Sequence, residues 1–339
     1  MFAWFSERAA YLGTLLAIKA GCLAAKVLPR GWLYRLADLL AYVGFYFCRG
    51  FRKKSAKNLG MAFGDKLNGS RLQEIVCRSL QNFFRDFVEV ALALVAPVET
   101  LRAEIPIIGR SHLDAALAKG NGVIALSAHL GNFFLLGTRL ATESYPIHVL
   151  VNPPRDRQFA QVMDEYRLQV RQQTIHARPR RDALRELARV LRRNQIAVVI
   201  ADEYRNGKGI HVPFFGRTVL ARRGPASIAL RTGAAVVPAC LVRDDKGSLK
   251  LIIEPELELV RSGKSRTAIR ENTLLMTQWL EKTVRAYPEQ WNWMNIHWQD
   301  GADSARIADS QQVEETRGQL KAKRQGHGHR AFRKGISLR

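Results

Sequence analysis

Paired cysteines are missing from this chain. Its four cysteines, Cys22, Cys48, Cys77 and Cys240, stand singly, with no Cys-x-x-Cys pair. That excludes a disulfide scaffold and a structural zinc site, and it points to a reducing compartment. Acidic residues are also scarce: 30 Asp and Glu face 53 Lys and Arg over 339 residues, a net charge of +23. There is no internal repeat. The first apolar run does not read as a secretory signal, since no basic stretch precedes it and no small-residue cleavage site closes it. What is present is an ordinary globular composition, 47% hydrophobic and 24% charged. It excludes collagen-like and wholly disordered chains and is enough for one large domain or two small ones. So basic a chain serves an anionic polymer, an anionic membrane or an acidic partner protein.

Residues 9–28 form an apolar run interrupted only by Lys19 and Lys26, and a second run, 33–48, carries Arg35 and Asp38 among aromatics. Twenty residues at 1.5 Å rise would just cross a bilayer core, but the two lysines suit a helix lying in the interface as well as a spanning one. Arg49, Arg52, Lys53, Lys54 and Lys57 follow with no acid among them. Such a cluster attracts anionic headgroups and stays cytoplasmic. A buried helical hairpin followed by a solvated basic turn is the alternative. The expected organisation is a membrane-associated helical segment over 1–60, an α/β domain over 61–300 and a basic disordered tail over 301–339. That tail holds nine basic and four acidic residues and little to bury. Its His327 and His329 read as solvent-exposed, not as metal ligands.

The middle of the chain alternates short Val- and Ile-rich runs with helical patterns. Strands are predicted at 122–127, 147–151, 196–201, 235–242 and 249–254, and helices near 70–94, 158–172, 181–193, 224–231 and 267–286. The third of these helices puts Leu184, Leu187 and Leu191 on one face and arginines beside them. The pattern predicts an α/β fold with a mostly parallel central sheet flanked by helices.

One segment carries chemistry. His129 ends the first long strand, in Ala125-Leu-Ser-Ala-His-Leu-Gly-Asn-Phe-Phe, where open α/β sheets bind ligands. An imidazole there can act as general base toward a hydroxyl. Asn132 is a candidate cap for the next helix, whose N-terminus would stabilise developing negative charge. Asp202 and Glu203 end the strand at 196–201. A Val-Pro-Phe-Phe-Gly segment follows at 212–216, and Arg222, Arg223 and Gly224-Pro225 open a helix. Together these would hold an acyl chain and an anionic headgroup.

His-Leu-Gly-Asn-Phe at 129–133, Val-Pro-Phe-Phe-Gly at 212–216 and Gly-Pro-Ala at 224–226 resemble the late acyltransferases of lipid A biosynthesis. Pro288-Glu-Gln-Trp-x-Trp293 with Trp298, and Lys57-Asn-Leu-Gly-Met-Ala-Phe63, extend the resemblance over roughly residues 10–300. It implies a glycerolipid acyltransferase-like fold at the cytoplasmic face of the bacterial inner membrane. It also implies transfer of a fatty acyl chain to a hydroxyl of a lipid A precursor or related glycolipid, in lipopolysaccharide synthesis. The donor would be a thioester of acyl carrier protein or coenzyme A, with no metal or cofactor. By that resemblance His129 is the base, and Gly131, Asn132, Arg155, Phe215, Gly216, Arg222 and Gly224 contact substrate.

The sequence departs from the family where it matters. The family pattern is His-x-x-x-x-Asp/Glu, with the acid orienting the histidine, and here the acid position is Phe134. The family's Arg after the following strand is replaced by Val151-Asn152-Pro153, leaving Arg155 or Arg157 as substitutes. Asp202 is expected to replace the missing acid, with Glu203 and then Glu143 behind it. The alternative is a lipid-binding or scaffold protein that keeps the fold without turnover. A nucleic-acid binder ranks last, since the basic clusters adjoin apolar segments and no recognised motif is present.

Overall fold

A computed structural model describes residues 2–153, 156–204, 209–263 and 265–299, with side chains from residue 12 onward. Four helices come first: α1 (Phe2–Val27), α2 (Arg30–Phe47), α3 (Arg49–Phe63) and α4 (Gly69–Val95). Short α5 (Val98–Glu104), β1 (Ile107–Ile108) and α6 (Arg110–Leu117) lead into the sheet. Then β2 (Val123–Ser127), α7 (Phe133–Ala141), β3 (Ile147–Val151), α8 (Arg157–Gln169), β4 (Gln173–His176), α9 (Arg180–Arg192) and β5 (Ile196–Ile200) alternate. The hairpin β6 (Ile210–Phe214) and β7 (Arg217–Ala221) precedes α10 (Gly224–Thr232), β8 (Ala235–Arg243), β9 (Leu249–Ile253) and α11 (Ser265–Ala286).

Seven strands form one sheet in the order β1-β9-β8-β2-β5-β3-β4, parallel except where β9 runs against β8. Both faces are covered, which is why the strands read as unbroken apolar runs. Along β2, Val123 and Ala125 enter the core on one face, and Ile124 and Leu126 the core on the other. From β2 the chain goes outward past β5 to β3, and from β5 it returns past β2 to β8. The carboxyl ends of β2 and β5 therefore flank the crevice where such sheets bind ligands.

The boundary expected after residue 60 falls inside α3. Leu59 and Ala62 of α3 and Ile75 and Val76 of α4 share one core with β2, β5 and β8, so the N-terminal helices are built onto the sheet. Asn58 reinforces this: its amide donates to the Trp293 carbonyl at 2.7 Å and its Oδ1 accepts from Trp298 Nε1. The helix expected over 158–172 stops at Gln169, and the following turn, with Arg171 at φ 61°, leads into the edge strand β4.

In α2 the buried stripe is small, Leu33, Ala37 and Ala41, and it seats the helix closely on α4. Asp38 fastens the same pair through two 2.7 Å bonds from Arg85. The large apolar side chains point the other way: Trp32, Leu36, Leu40, Val43 and Phe47 are exposed, Phe47 to 82%. Among the described residues no helix is long and apolar enough to cross a membrane. A spanning N-terminal helix is thus not supported. The tail at 301–339, with His327 and His329, lies outside the described residues, as does Arg155.

Candidate active site

Register brings His129 and Asp202 together. Ser127 pairs with Ile200 at the ends of β2 and β5, and two residues further on lie His129 and Asp202. The Asp202 carboxylate takes the imidazole Nδ1 at 2.8 Å on Oδ1 and the His129 backbone N–H at 2.8 Å on Oδ2. Trp291 Nε1 donates to the same Oδ2 at 2.7 Å. Burial would raise the Asp202 carboxyl, but the neighbouring His129 charge and these donors outweigh it and hold it below the usual carboxylate range. An ionised carboxylate only accepts, so Nδ1 carries its proton and the basic lone pair is on Nε2. Asp202 is 5% exposed, whereas the His129 side chain keeps 27% of its surface. The acid is enclosed and the base is accessible to a substrate.

The loop that carries His129 is pinned from several sides. Gly131 N–H donates to the Gln290 carbonyl and Asn132 N–H to the Leu241 carbonyl, each at 2.9 Å. Gly131 has φ 57°, and a Cβ there would sit 2.1 Å from the Leu241 oxygen, so only glycine fits. Gln290 also brackets Arg243 by accepting from its N–H and donating to its carbonyl. Asn132 caps α7 through Leu135 N–H, while its amide donates to Glu89 Oε2 at 2.8 Å and the Asp86 carbonyl at 3.2 Å.

Behind that cap lies a buried ionic cluster. Arg243 reaches both oxygens of Glu89, Asp86 Oδ1 at 3.1 Å and Asn82 Oδ1 at 3.1 Å, and Tyr34 donates to Glu89. Two carboxylates share one guanidinium in a site under 10% exposed. Burial and the adjacent Glu89 charge therefore push the Asp86 carboxyl well above its ordinary range.

Several substrate contacts expected from sequence are placed elsewhere. Asn132 is 0% exposed and its side-chain atoms are committed to protein, so it supports the loop and does not meet substrate. Gly131 is buried for the same purpose. Phe215 and Gly216 are the two turn residues between β6 and β7, both at positive φ. Phe215 is packed among Phe63, Phe214 and Trp293, its N–H on Glu281 and the Arg285 guanidinium 4.1 Å from its ring centre. It is core, and Gly216 is the exposed tip. Arg222 and Gly224 lie where β7 passes into α10, a helix that returns to β8 and so begins at the carboxyl edge of the sheet. Glu203 turns outward to Asn152. Glu143 is clamped by Arg102, Arg110 and Arg139 and takes no part at His129. The N–H groups of Gly131, Asn132, Phe133 and Leu135 at the start of α7 all find acceptors within the chain.

Phe134 points along the surface, 39% exposed, against Phe87 and Phe133. Sequence reasoning noticed the tryptophan-rich segment but missed Trp291 as the second donor to Asp202 and Gln290 as the clamp. It also missed Glu89 and Arg243, whose signal was only charge inside otherwise apolar periodicity.

The sequence profile of the bacterial lipid A biosynthesis acyltransferases matches residues 2–300. A phosphatidylinositol mannoside acyltransferase of Mycobacterium tuberculosis is 25% identical over 296 residues, covering 86% of this chain and 90% of the relative. Its namesake from Mycolicibacterium smegmatis is 25% identical over 230 residues, covering 66% and 72%.

Proposed function

This chain belongs to the bacterial lipid A biosynthesis acyltransferase family and is an acyltransferase, and from that premise we propose that it acylates a hydroxyl of a membrane glycolipid, with His129 as general base and Asp202 as its orienting partner. One observation carries the reading: the 2.8 Å contact between His129 Nδ1 and the enclosed Asp202 carboxylate. Nε2 takes the proton of the acceptor hydroxyl as its oxygen attacks the thioester carbonyl. The carbon–sulfur bond then breaks, the acyl group stays on the acceptor oxygen, and the thiolate leaves with the proton held by His129. Asp202 stabilises the imidazolium between these steps.

The acceptor in this reading is a lipid A precursor or related glycolipid, and the relatives named phosphatidylinositol mannoside acyltransferase support a glycolipid. The donor is a thioester of acyl carrier protein or coenzyme A. The exposed apolar side chains of α2 and the basic residues of α3 support attachment in the interface plane at the cytoplasmic face of the inner membrane. Phe134 was the reason to consider a lipid-binding protein without turnover. Asp202 on Nδ1 supports turnover without an acid at that position.

The test is purified enzyme with acyl carrier protein and coenzyme A thioesters and a glycolipid acceptor, beside lipid mass spectrometry of cells with and without the gene. Asp202→Asn is expected to lower kcat by about 10³–10⁴-fold, as loss of the orienting acid does in other acid–histidine pairs. His129→Ala is expected to abolish transfer with the fold retained. Wild-type turnover in either variant would overturn the assignment, as would unchanged lipids in cells lacking the gene.

A further inference from the structure

An unbroken series of ring contacts runs from the N-terminal helices to the reactive histidine. Phe83 and Phe84 of α4 meet at 6.1 Å between ring centres. Phe83 meets Phe87 one turn on at 4.9 Å, and Phe87 meets Phe134 of α7 at 5.6 Å. Phe134 lies 4.1 Å from Phe133, whose ring stands edge-on to His129 at 4.9 Å. Three of these rings are open to solvent, Phe83 at 41%, Phe87 at 47% and Phe134 at 39%. Soluble surfaces seldom align aromatics in this way without an occupant.

We infer that Phe83, Phe87 and Phe134 form a surface track for one hydrocarbon chain of the acceptor lipid, which leads its hydroxyl to His129. The inference rests on the acyltransferase reading above and extends it. The openness of the track selects the occupant. Rings exposed by two-fifths cover only one side of a chain, so the other side must be covered by something apolar. An acceptor lipid half-withdrawn from a bilayer satisfies this, because its neighbours cover the outer side. A thioester chain delivered from water does not, since it needs walls all round. The track lies on α4, the helix against which α2 packs, and α2 carries the exposed Leu40, Val43 and Phe47 that support membrane attachment. Phe134 thus gains a role at the position where the family carries an acid: that acid is not needed on His129 Nδ1, which Asp202 already holds.

The experiment uses the full-length chain with anionic phosphatidylglycerol vesicles holding a glycolipid acceptor that bears a mid-chain diazirine. After irradiation, peptides are mapped by mass spectrometry. Crosslinks are expected on α4 around Phe83 and Phe87 and on Phe134; crosslinks confined to other segments overturn the track. In kinetics, Phe87→Ser and Phe134→Ser are expected to raise KM for the long-chain acceptor about tenfold, with kcat changed less than about twofold. The preference for long-chain over short-chain acceptor is expected to collapse by the same factor. An unchanged preference overturns the track, and a changed preference among donor chain lengths instead assigns it to the donor and overturns it as stated. The two readings fail separately. Crosslinks at the track without transfer from any thioester sink the acyltransferase mechanism, and transfer with an unmarked track sinks only the track.

Discussion

At position 134 the aromatic side chain lies on the surface. Phe134 packs on Phe87 and Phe133 at the surface, while His129 Nδ1 already meets Asp202. Phe134→Glu is therefore expected to fold normally, with a melting temperature within about 2 °C of wild type. The new carboxylate stays in water and lies in the first turn of α7, where the helix dipole favours it. It is not expected to restore turnover to Asp202→Asn, because His129 Nδ1 meets residue 202. A double variant with more than tenfold the activity of Asp202→Asn would show that residue 134 can reach His129 after all. The enclosed Asp202 has a further consequence. Its depressed carboxyl contributes stability that is complete above the ordinary aspartate range near pH 4, and this is lost as pH falls through the lower native value.

Between elements, the cluster of Arg243, Glu89 and Asp86 ties the end of β8 to α4 and, through Asn132, to the start of α7. Removing the one cation leaves two buried carboxyls with no counter-charge. Arg243→Leu is expected to destabilise by about 3–5 kcal/mol in chemical denaturation. Asp86→Asn is expected to cost less than Arg243→Leu, because burial and the adjacent Glu89 charge already work against the ionised Asp86 carboxyl. Equal losses in the two variants would contradict this division of charge. The loop that carries His129 depends on the same cluster, so on the proposed mechanism Arg243→Leu is also expected to lower kcat in whatever fraction remains folded.

For the molecule as a whole, α2 uses its small residues inward and its large ones outward, the reverse of a helix that serves only to fill a core. Deleting α1 and α2 would uncover the face of α4 against which they pack, so point changes are the cleaner probe. Leu36→Ser, Leu40→Ser and Phe47→Ser together are expected to reduce binding to anionic vesicles at least tenfold, since each exposed side chain gives up roughly 1 kcal/mol or more of burial in lipid. Circular dichroism is expected to stay unchanged, because these residues touch little of the protein. Vesicle binding that survives the triple change but disappears in 0.5 M salt would assign attachment to the basic residues of α3 alone.

The alternation of apolar runs with amphipathic stretches determined the fold class and five of the sheet's strands to within a residue or so. It also marked His129 and Asp202, because strand ends are visible wherever a Val- and Ile-rich run meets a polar residue. Strand order and register decided that those residues meet. That β2 lies beside β5, with Ser127 opposite Ile200, is a contact across 73 residues between the two side chains beyond it. Local periodicity contains no term for such a contact. The short strands β1 and β4 and the helices α5 and α6 escaped for a related reason, since segments of two to eight residues are stabilised by what packs on them more than by their own pattern. Phe215 looked like part of a binding turn and Asn132 like a substrate contact because sequence records residue type and spacing. Which side of the chain is buried was settled by packing: the first became core and the second a buried cap, while an acid's place was left to Phe134 on the surface.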